Sequence, residues 1–441
     1  MKCKKPIKLS PYQLLIFIFL FFIIVGTILL KLPIATTTSI SWIDALFTVT
    51  SAMTVTGLVV VDTPIVFTTF GEIVIVSLIQ IGGLGIMSFA VLIYMMLGKK
   101  IGLKERIVIQ QSLNQSSIGG VIKLVKNLFI FSISIEFIGL LILAIKWVPE
   151  YGWGKGLYFS FFHSISAFNN AGFALWSDNL MGYVGDPIVN IGITILFITG
   201  GIGFTVLMDV WHNKSFKKLS LHSKLMIIGT FIINLVAVFL VFVLEYHNPK
   251  TLAGLPSLSD KLWSAYFQGV VTRTAGFNTL DIAGINESTS FLMVILMFIG
   301  AGSASTGGGI KLTTFLVILY GTLSFLKGKQ DVVLYNRTLP GAIVLKALAI
   351  STMSLLFVIV AVFILSISED APFVVSLFEV VSAFGTVGLS MGLTYSLSFV
   401  GKVVIIFMMF FGKVGPLTLA FSLAKPKVDK IKYPKEEILT G

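Results

Sequence analysis

Residues 51–63 read Ser-Ala-Met-Thr-Val-Thr-Gly-Leu-Val-Val-Val-Asp-Thr, and the fold turns on this stretch. It lies between two apolar runs but is too short and too broken to cross a bilayer. Ser41 and Asp44 stand at capping-box spacing ahead of it, so a half-length helix is expected to begin there. Thr54, Val55, Thr56 and Gly57 then end that helix as bare backbone. A threonine-rich turn closing on glycine, at the foot of a short membrane helix, can place backbone carbonyls around a dehydrated cation. Three later stretches resemble it: Asn169, Asn170, Ala171 and Gly172; Arg273, Thr274, Ala275 and Gly276; and Gly385, Thr386, Val387 and Gly388. Their closing glycines follow one another at spacings of 115, 104 and 112 residues. Four near-equal periods indicate a fourfold repeat with one such strand in each.

Composition sets the medium. Of 441 residues, 56% are hydrophobic and 12% charged, about half the charged share of a soluble domain. Several apolar runs reach the ~20 residues that span a bilayer. Both facts describe a polytopic membrane protein. The first run, residues 14–30, follows a basic start without a small-residue cleavage site, so it reads as a retained span. Cys3 is the one cysteine, which leaves no internal disulfide or thiolate metal site. His163, His212, His222 and His247 are scattered, and no metalloprotease, nucleophile-elbow or phosphate-loop motif occurs. An enzyme therefore lacks its parts. The net charge of +12 is explained by topology and not by nucleic acid.

In chain order the expectation is an all-α integral membrane protein of four membrane–pore–membrane repeats, pseudo-fourfold around one pore. A cytoplasmic N-terminus (1–11) leads into repeats at 12–106, 107–218, 219–330 and 331–424, and a basic cytoplasmic tail (425–441) follows. The eight spans fall near 12–32 and 70–97, 121–147 and 187–211, 225–246 and 291–326, and 340–367 and 400–424. Re-entrant pieces lie between the members of each pair, near 155–168, 260–271 and 371–384 in the last three. Basic clusters at one set of loops place those loops in the cytoplasm. Glu150, Glu245, Asp260, Glu369 and Asp370 fall in the opposite loops. Residues 107–127, polar and rich in Gln and Ser, read as a linker or the amphipathic start of a span.

Irregular backbone at membrane depth survives only inside protein or beside water, so four such strands imply an internal aqueous path. Each half-helix directs its C-terminal end inward, where the macrodipole favours cations. Each closing glycine permits the positive φ that lets successive carbonyls face one axis. The competing reading is that small residues here serve only close helix packing. Beyond the glycines, Asp62, Asp178 and Asp281 suggest an asymmetric acidic vestibule that concentrates cations; turn capping is the alternative.

The second span of three repeats carries a glycine cluster ending at Gly85, Gly203 and Gly415, and in the last of them Lys413 replaces a glycine. A lysine there is expected to project into the pathway below the strands or to snorkel to the cytoplasmic face. In the third repeat, Gly302, Ser303, Ala304, Ser305, Thr306, Gly307, Gly308 and Gly309 cannot sustain a helix, since each glycine costs about 1 kcal/mol against alanine. They read as a flexible loop interrupting the span, a gate or else a passive kink. Glu136 and Glu379 are expected to orient helices or support the strands, and His163 to be a satisfied scaffold residue. Arg273 is expected to offer its carbonyl to the strand edge while its side chain turns back toward an acid.

These strands, the four repeats and the loop at 302–309 together resemble the Trk/Ktr/HKT superfamily of cation transporters, over essentially the whole chain. The eight-span length is similar to the membrane subunit of bacterial Ktr systems; Trk subunits carry two further N-terminal spans. The resemblance implies potassium uptake across the plasma membrane, with K+ held at the four strands acting as a selectivity filter. Glycine in all four strands is similar to the potassium-preferring pattern, whereas serine in the first tends toward sodium. It also implies a homodimer in membrane lipid, and a cytosolic ring of RCK-type regulatory subunits, KtrA- or KtrC-like, that would bind ATP and ADP. No cofactor is expected on this chain, and sodium activation occurs in some Ktr systems. Family members usually carry arginine where this chain has Lys413, so the charge is kept and the bidentate fork lost. A sodium- or proton-coupled symporter is the alternative, with Glu136 as its candidate carboxylate, as is a less selective potassium/sodium pathway.

Overall fold

A computed structural model describes residues 11–85, 121–329, 331–416, 418, 419 and 436. The basic start with Cys3, the end of the second expected span with Lys99, Lys100, Lys104 and Arg106, and the basic tail lie outside the described residues.

The chain is an all-α membrane protein. Helix α1 (Pro11–Leu30) precedes the short α2 (Trp42–Thr54) and α3 (Thr69–Leu84). Helix α4 (Val121–Phe168) bends at Gly152, whose φ of 81° divides a long outer part from the expected re-entrant piece. Then come α5 (Pro187–Ile202), α6 (Phe204–Asn213), α7 (Leu221–Glu245) and α8 (Leu258–Val271). The last half holds α9 (Glu287–Phe298), α10 (Leu312–Leu326), α11 (Gly341–Ser368), α12 (Phe373–Gly385) and α13 (Phe399–Val414). An antiparallel hairpin, β1 (Val332–Leu334) with β2 (Arg337–Leu339), joins α10 to α11 and pairs Val332 with Leu339.

Burial is inverted relative to a water-soluble bundle. Along α7, Phe231, Leu235, Phe239 and Val243 are all exposed at four-residue steps, an apolar stripe of the kind that lipid or another protein surface covers. Polar side chains such as Thr54, Asn170, Thr274, Glu379 and Thr386 are buried instead.

Eight spans were expected, with an interruption in the second span of the third repeat alone, and here the structure differs. Among the described residues, four helices are long and apolar enough to cross a membrane alone: 13–30, 125–168, 221–245 and 341–368. Among the described residues, the second helix of each pair stops short of a full span. Helix α5 stops at Gly203 (φ 106°), and α6 leaves it at 95°. Helices α3 and α13 stop in the same way at Gly85 (φ 85°) and Gly415 (φ 87°). In the third pair, residues 299–311 separate α9 from α10. The physical reason is the closing glycine of each cluster, which adopts a φ that other residues rarely reach.

The acids of the expected outer loops mostly hold helix starts. Glu245 is fully buried and accepts from the Asn286 amide (3.0 Å) just before α9. Glu369 accepts from the Ser398 amide (3.0 Å) and hydroxyl (2.6 Å) at the start of α13. Asp186, at the start of α5, pairs with Lys146 at 3.0 Å. The chain closes on itself where α13 packs against α2, with Lys402 2.7 Å from Asp44.

Candidate functional site

Helix α2 begins as expected: the Ser41 hydroxyl accepts from the Asp44 amide at 3.1 Å. It ends on Thr54, and Val55 takes a left-handed conformation (φ 53°, ψ 49°). The same geometry recurs two residues before every closing glycine, at Asn170 (φ 60°), Thr274 (φ 68°) and Thr386 (φ 50°). The glycines Gly57, Gly172, Gly276 and Gly388 follow at φ of 91°, 67°, 74° and 92°. All four stretches thus share one backbone path. For valine and threonine that path is strained, and it persists only where the surroundings impose it.

The four stretches meet. A Cβ at Gly57 would lie 2.5 Å from the Ala171 carbonyl oxygen, and one at Gly172 would lie 2.7 Å from the Gly276 Cα. One at Gly276 would lie 2.5 Å from the Val387 carbonyl, and one at Gly388 would lie 2.1 Å from the Thr56 carbonyl. The contacts therefore close in chain order, first to second to third to fourth to first. A side chain at any of these positions would press on backbone, so the strands would have to shift to take one. The strands carry carbonyl oxygens, hard ligands of the kind that suit alkali cations, while their threonine hydroxyls are engaged by neighbouring groups. Among the described residues no group of three His, Cys, Asp or Glu could hold a metal ion.

Side chains behind the strands fix the path. Ser51 accepts from the Gly57 amide (3.1 Å), and Ser382 from the Gly388 amide (3.2 Å). Thr54 and Thr56 share a hydroxyl hydrogen bond of 2.7 Å. Asn169 turns away from the meeting point and donates to Gln80 (2.7 Å) and Glu136 (3.3 Å), while Gln80 donates to both Glu136 oxygens. His163 Nε2 accepts from the Leu175 amide at 3.2 Å, and Glu379 from the Met391 amide at 3.1 Å. Each stands nine residues before its glycine and binds the amide three residues after it. Glu379 also accepts from the hydroxyls of Ser390 (2.5 Å) and Thr394 (2.7 Å).

Outside the glycines is a cavity of about 260 Å3, lined by all four of them and by Asp62, Asp178 and Asp281. Gly392 and Tyr395 stand there for the fourth strand. Asp281 also accepts from the Ala283 amide at 3.0 Å, so the expected capping role and the cavity lining coincide in that residue.

Residues 302–309 interrupt the third pair as expected, and they are bonded on both flanks. The Gly302 amide donates to the Gly201 carbonyl (2.8 Å), and the Phe204 amide to the Ala304 carbonyl (2.9 Å). Ser305 donates within the loop to Gly302 at 2.7 Å, and Ser303 is engaged as well. The Gly309 amide faces the Gly412 carbonyl at 3.3 Å. Against the strands, Thr306 donates to Asn170 (2.8 Å), Asn170 to Thr274 (3.2 Å), and the Gly308 amide to Thr386 (2.8 Å). A Cβ at Gly307 would lie 2.4 Å from the Thr274 hydroxyl oxygen. The glycines are what allow the loop to sit close against the second, third and fourth strands. Lys413 donates its ammonium to the Thr306 carbonyl.

One expectation fails. The Arg273 side chain does turn behind its strand, but among the described residues it meets no acid; Nη2 faces the Gly300 carbonyl at 3.5 Å. The C-terminal ends of α8 and α9 supply the negative pole beside it, which removes the need for a carboxylate. Reasoning from sequence also gave no role to Ser51, Ser382, Gln80 and Lys311. Lys311 donates to the Gly307 carbonyl at 2.6 Å. The serine signal was present in the Ser-Ala pair six residues before three of the glycines.

A family model described as a cation transport protein, TrkH, matches residues 10–431. The chain is 59% identical over 440 residues to the Ktr system potassium uptake protein B of Bacillus subtilis, covering 100% of this chain and 99% of that one. It is 44% identical to the protein of the same name from Vibrio alginolyticus, covering 97% and 94%. It is 38% identical to the potassium/sodium uptake protein NtpJ of Enterococcus hirae, covering 100% and 99%. The crystal structure of the potassium transporter TrkH from Vibrio parahaemolyticus matches the fold with a TM-score of 0.76 at 20% identity, over 96% of this chain and 87% of that one.

Proposed function

The chain belongs to the TrkH family of cation transport proteins, transporters and not enzymes, and from that membership we propose that it forms a channel-like pathway for potassium uptake. The observation that carries this reading is the closed set of contacts among Gly57, Gly172, Gly276 and Gly388, each at positive φ. In this reading the four units surround one pore pseudo-symmetrically, and residues 54–57, 169–172, 273–276 and 385–388 form its filter. Backbone carbonyls replace the hydration shell of K+, with Asp62, Asp178 and Asp281 enriching cations at the mouth. Residues 302–309 are the gate, and Lys413 belongs to it.

The same reading makes the protein a homodimer of the plasma membrane with cytoplasmic termini, regulated by an RCK-type ring that carries the nucleotide. The naming of its relatives as parts of a Ktr system supports a partner subunit. Fixed coupling to sodium or protons is the weaker reading, because Glu136 is already engaged by Gln80 and Asn169 behind the second strand.

The test is rubidium and sodium uptake into proteoliposomes, for the protein and for Gly57→Ser. Rubidium uptake that potassium competes away, with sodium excluded until serine is present, is the expected result. Equal uptake of both ions by the unaltered protein would leave only a general cation pathway. A reversal potential displaced from the potassium gradient would favour coupling.

A further inference from the structure

Behind the third strand, between α5, α7 and the end of α8, is a cavity of about 20 Å3 lined in part by Phe197, Ile198, Thr230, Asn234, Arg273 and Ala301. Three of its polar atoms have no partner within the protein: Arg273 Nε, Asn234 Oδ1 and Thr230 Oγ1. Arg273 and Thr230 are each only 8% exposed, so bulk solvent does not satisfy them. A buried polar group without a hydrogen bond is costly, and native structures rarely leave one so. Three around one small cavity point to a shared ligand.

Charge and stereochemistry choose that ligand. The guanidinium excludes a cation. A halide could accept from Nε–H, but it would then face the lone pairs of the Asn234 carbonyl oxygen. A water molecule can accept from Arg273 Nε–H and donate to both Asn234 Oδ1 and Thr230 Oγ1. A cavity needs roughly 10–15 Å3 of this kind of volume to hold a water, and such waters make two to four bonds. We propose that this cavity is a binding site for a single water molecule held by Arg273, Asn234 and Thr230. The water fastens the guanidinium to α7. It thereby holds the main chain at Arg273 and Thr274 against being pulled toward the four strands' meeting point.

The test is a high-resolution structure of the protein in lipid nanodiscs or crystals prepared in potassium bromide, with bromine anomalous data from the crystals. The expected result is a density peak about 2.7–3.2 Å from Arg273 Nε, Asn234 Oδ1 and Thr230 Oγ1, without an anomalous signal. The near-isosteric Thr230→Val variant should lose or displace that peak. An anomalous peak would reassign the site to an anion, and no density would remove it. An undisturbed peak in Thr230→Val would likewise overturn the three-point site. None of these outcomes depends on which ion the protein carries.

Discussion

Lys413 donates its ammonium to the main-chain carbonyl of Thr306, fastening the end of α13 to the loop that separates α9 from α10. Thr306 in turn reaches the second strand through Asn170. A hydrogen bond to a charged group contributes about 1.5–3 kcal/mol, so Lys413→Met should loosen the loop from one of its two flanks. If the loop is the gate, rubidium uptake into proteoliposomes should rise about tenfold, since roughly 1.4 kcal/mol corresponds to a factor of ten. Lys413→Arg should stay near the parent rate. A Met variant that folds normally and transports no faster would mean that the loop does not limit flux.

Ser51 and Ser382 each hold a closing glycine's amide, at 3.1 and 3.2 Å. Losing such a bond costs about 1 kcal/mol in ordinary cases. Here the same bonds also restrain strained backbone at Val55 and Thr386. Ser51→Ala and Ser382→Ala should therefore lower the rubidium-over-sodium uptake ratio more than they lower total uptake, and the double variant should lower it further. Equal loss of both ions in each variant would assign the serines to stability alone.

The four glycine stretches were legible because glycine recurring at near-equal spacing is chemically specific: it takes both the positive φ and the close backbone contact at Gly57 or Gly388 without strain. The left-handed residues two positions earlier were not legible. Val55 and Thr386 are β-branched and disfavour that region, so local preference pointed elsewhere and the fold overrode it. The helix breaks were half visible, since the clusters ending at Gly85, Gly203 and Gly415 marked the places but not the 95° turn after Gly203. The partner of Arg273 was invisible for a different reason. A helix-end carbonyl carries no residue identity, so nothing in the chain announces Gly300 as an acceptor.

Asp44 and Lys402 join the first half-helix to the last long helix, 2.7 Å apart with both side chains 17% exposed. Pairs near a surface contribute about 0–1 kcal/mol, and partial shielding places this one toward the upper end. A double-mutant cycle of Asp44→Asn and Lys402→Met, read by thermal unfolding in detergent, should give a coupling of about that upper value. The coupling should shrink as salt is raised. Strict additivity at low salt would show that the packing of α13 on α2, and not the ion pair, closes the chain.

His163 and Glu379 occupy equivalent places in the second and fourth units and do the same work with different chemistry. Each accepts the amide three residues beyond its glycine, from Leu175 and Met391. The histidine is stacked on Trp176 at 4.4 Å and its Nδ1 lies 2.8 Å from the Phe159 carbonyl, so it is the Nδ1–H tautomer that leaves Nε2 free to accept. Glu379 carries the larger load, because Ser390 and Thr394 also depend on it. Glu379→Leu would strand three donors, one fully buried and two half-buried, at up to about 1–3 kcal/mol each before relaxation, and should prevent recovery of folded protein from the membrane. Glu379→Gln keeps one acceptor oxygen and should fold, with a lowered rubidium-over-sodium ratio. His163→Leu strands a single amide, so it should fold, lose about 1–3 kcal/mol, and disturb the second strand alone. Size-exclusion recovery and thermal unfolding check this ranking. If Glu379→Leu were as well folded as His163→Leu, the three bonds to the carboxylate would not be holding the fourth strand.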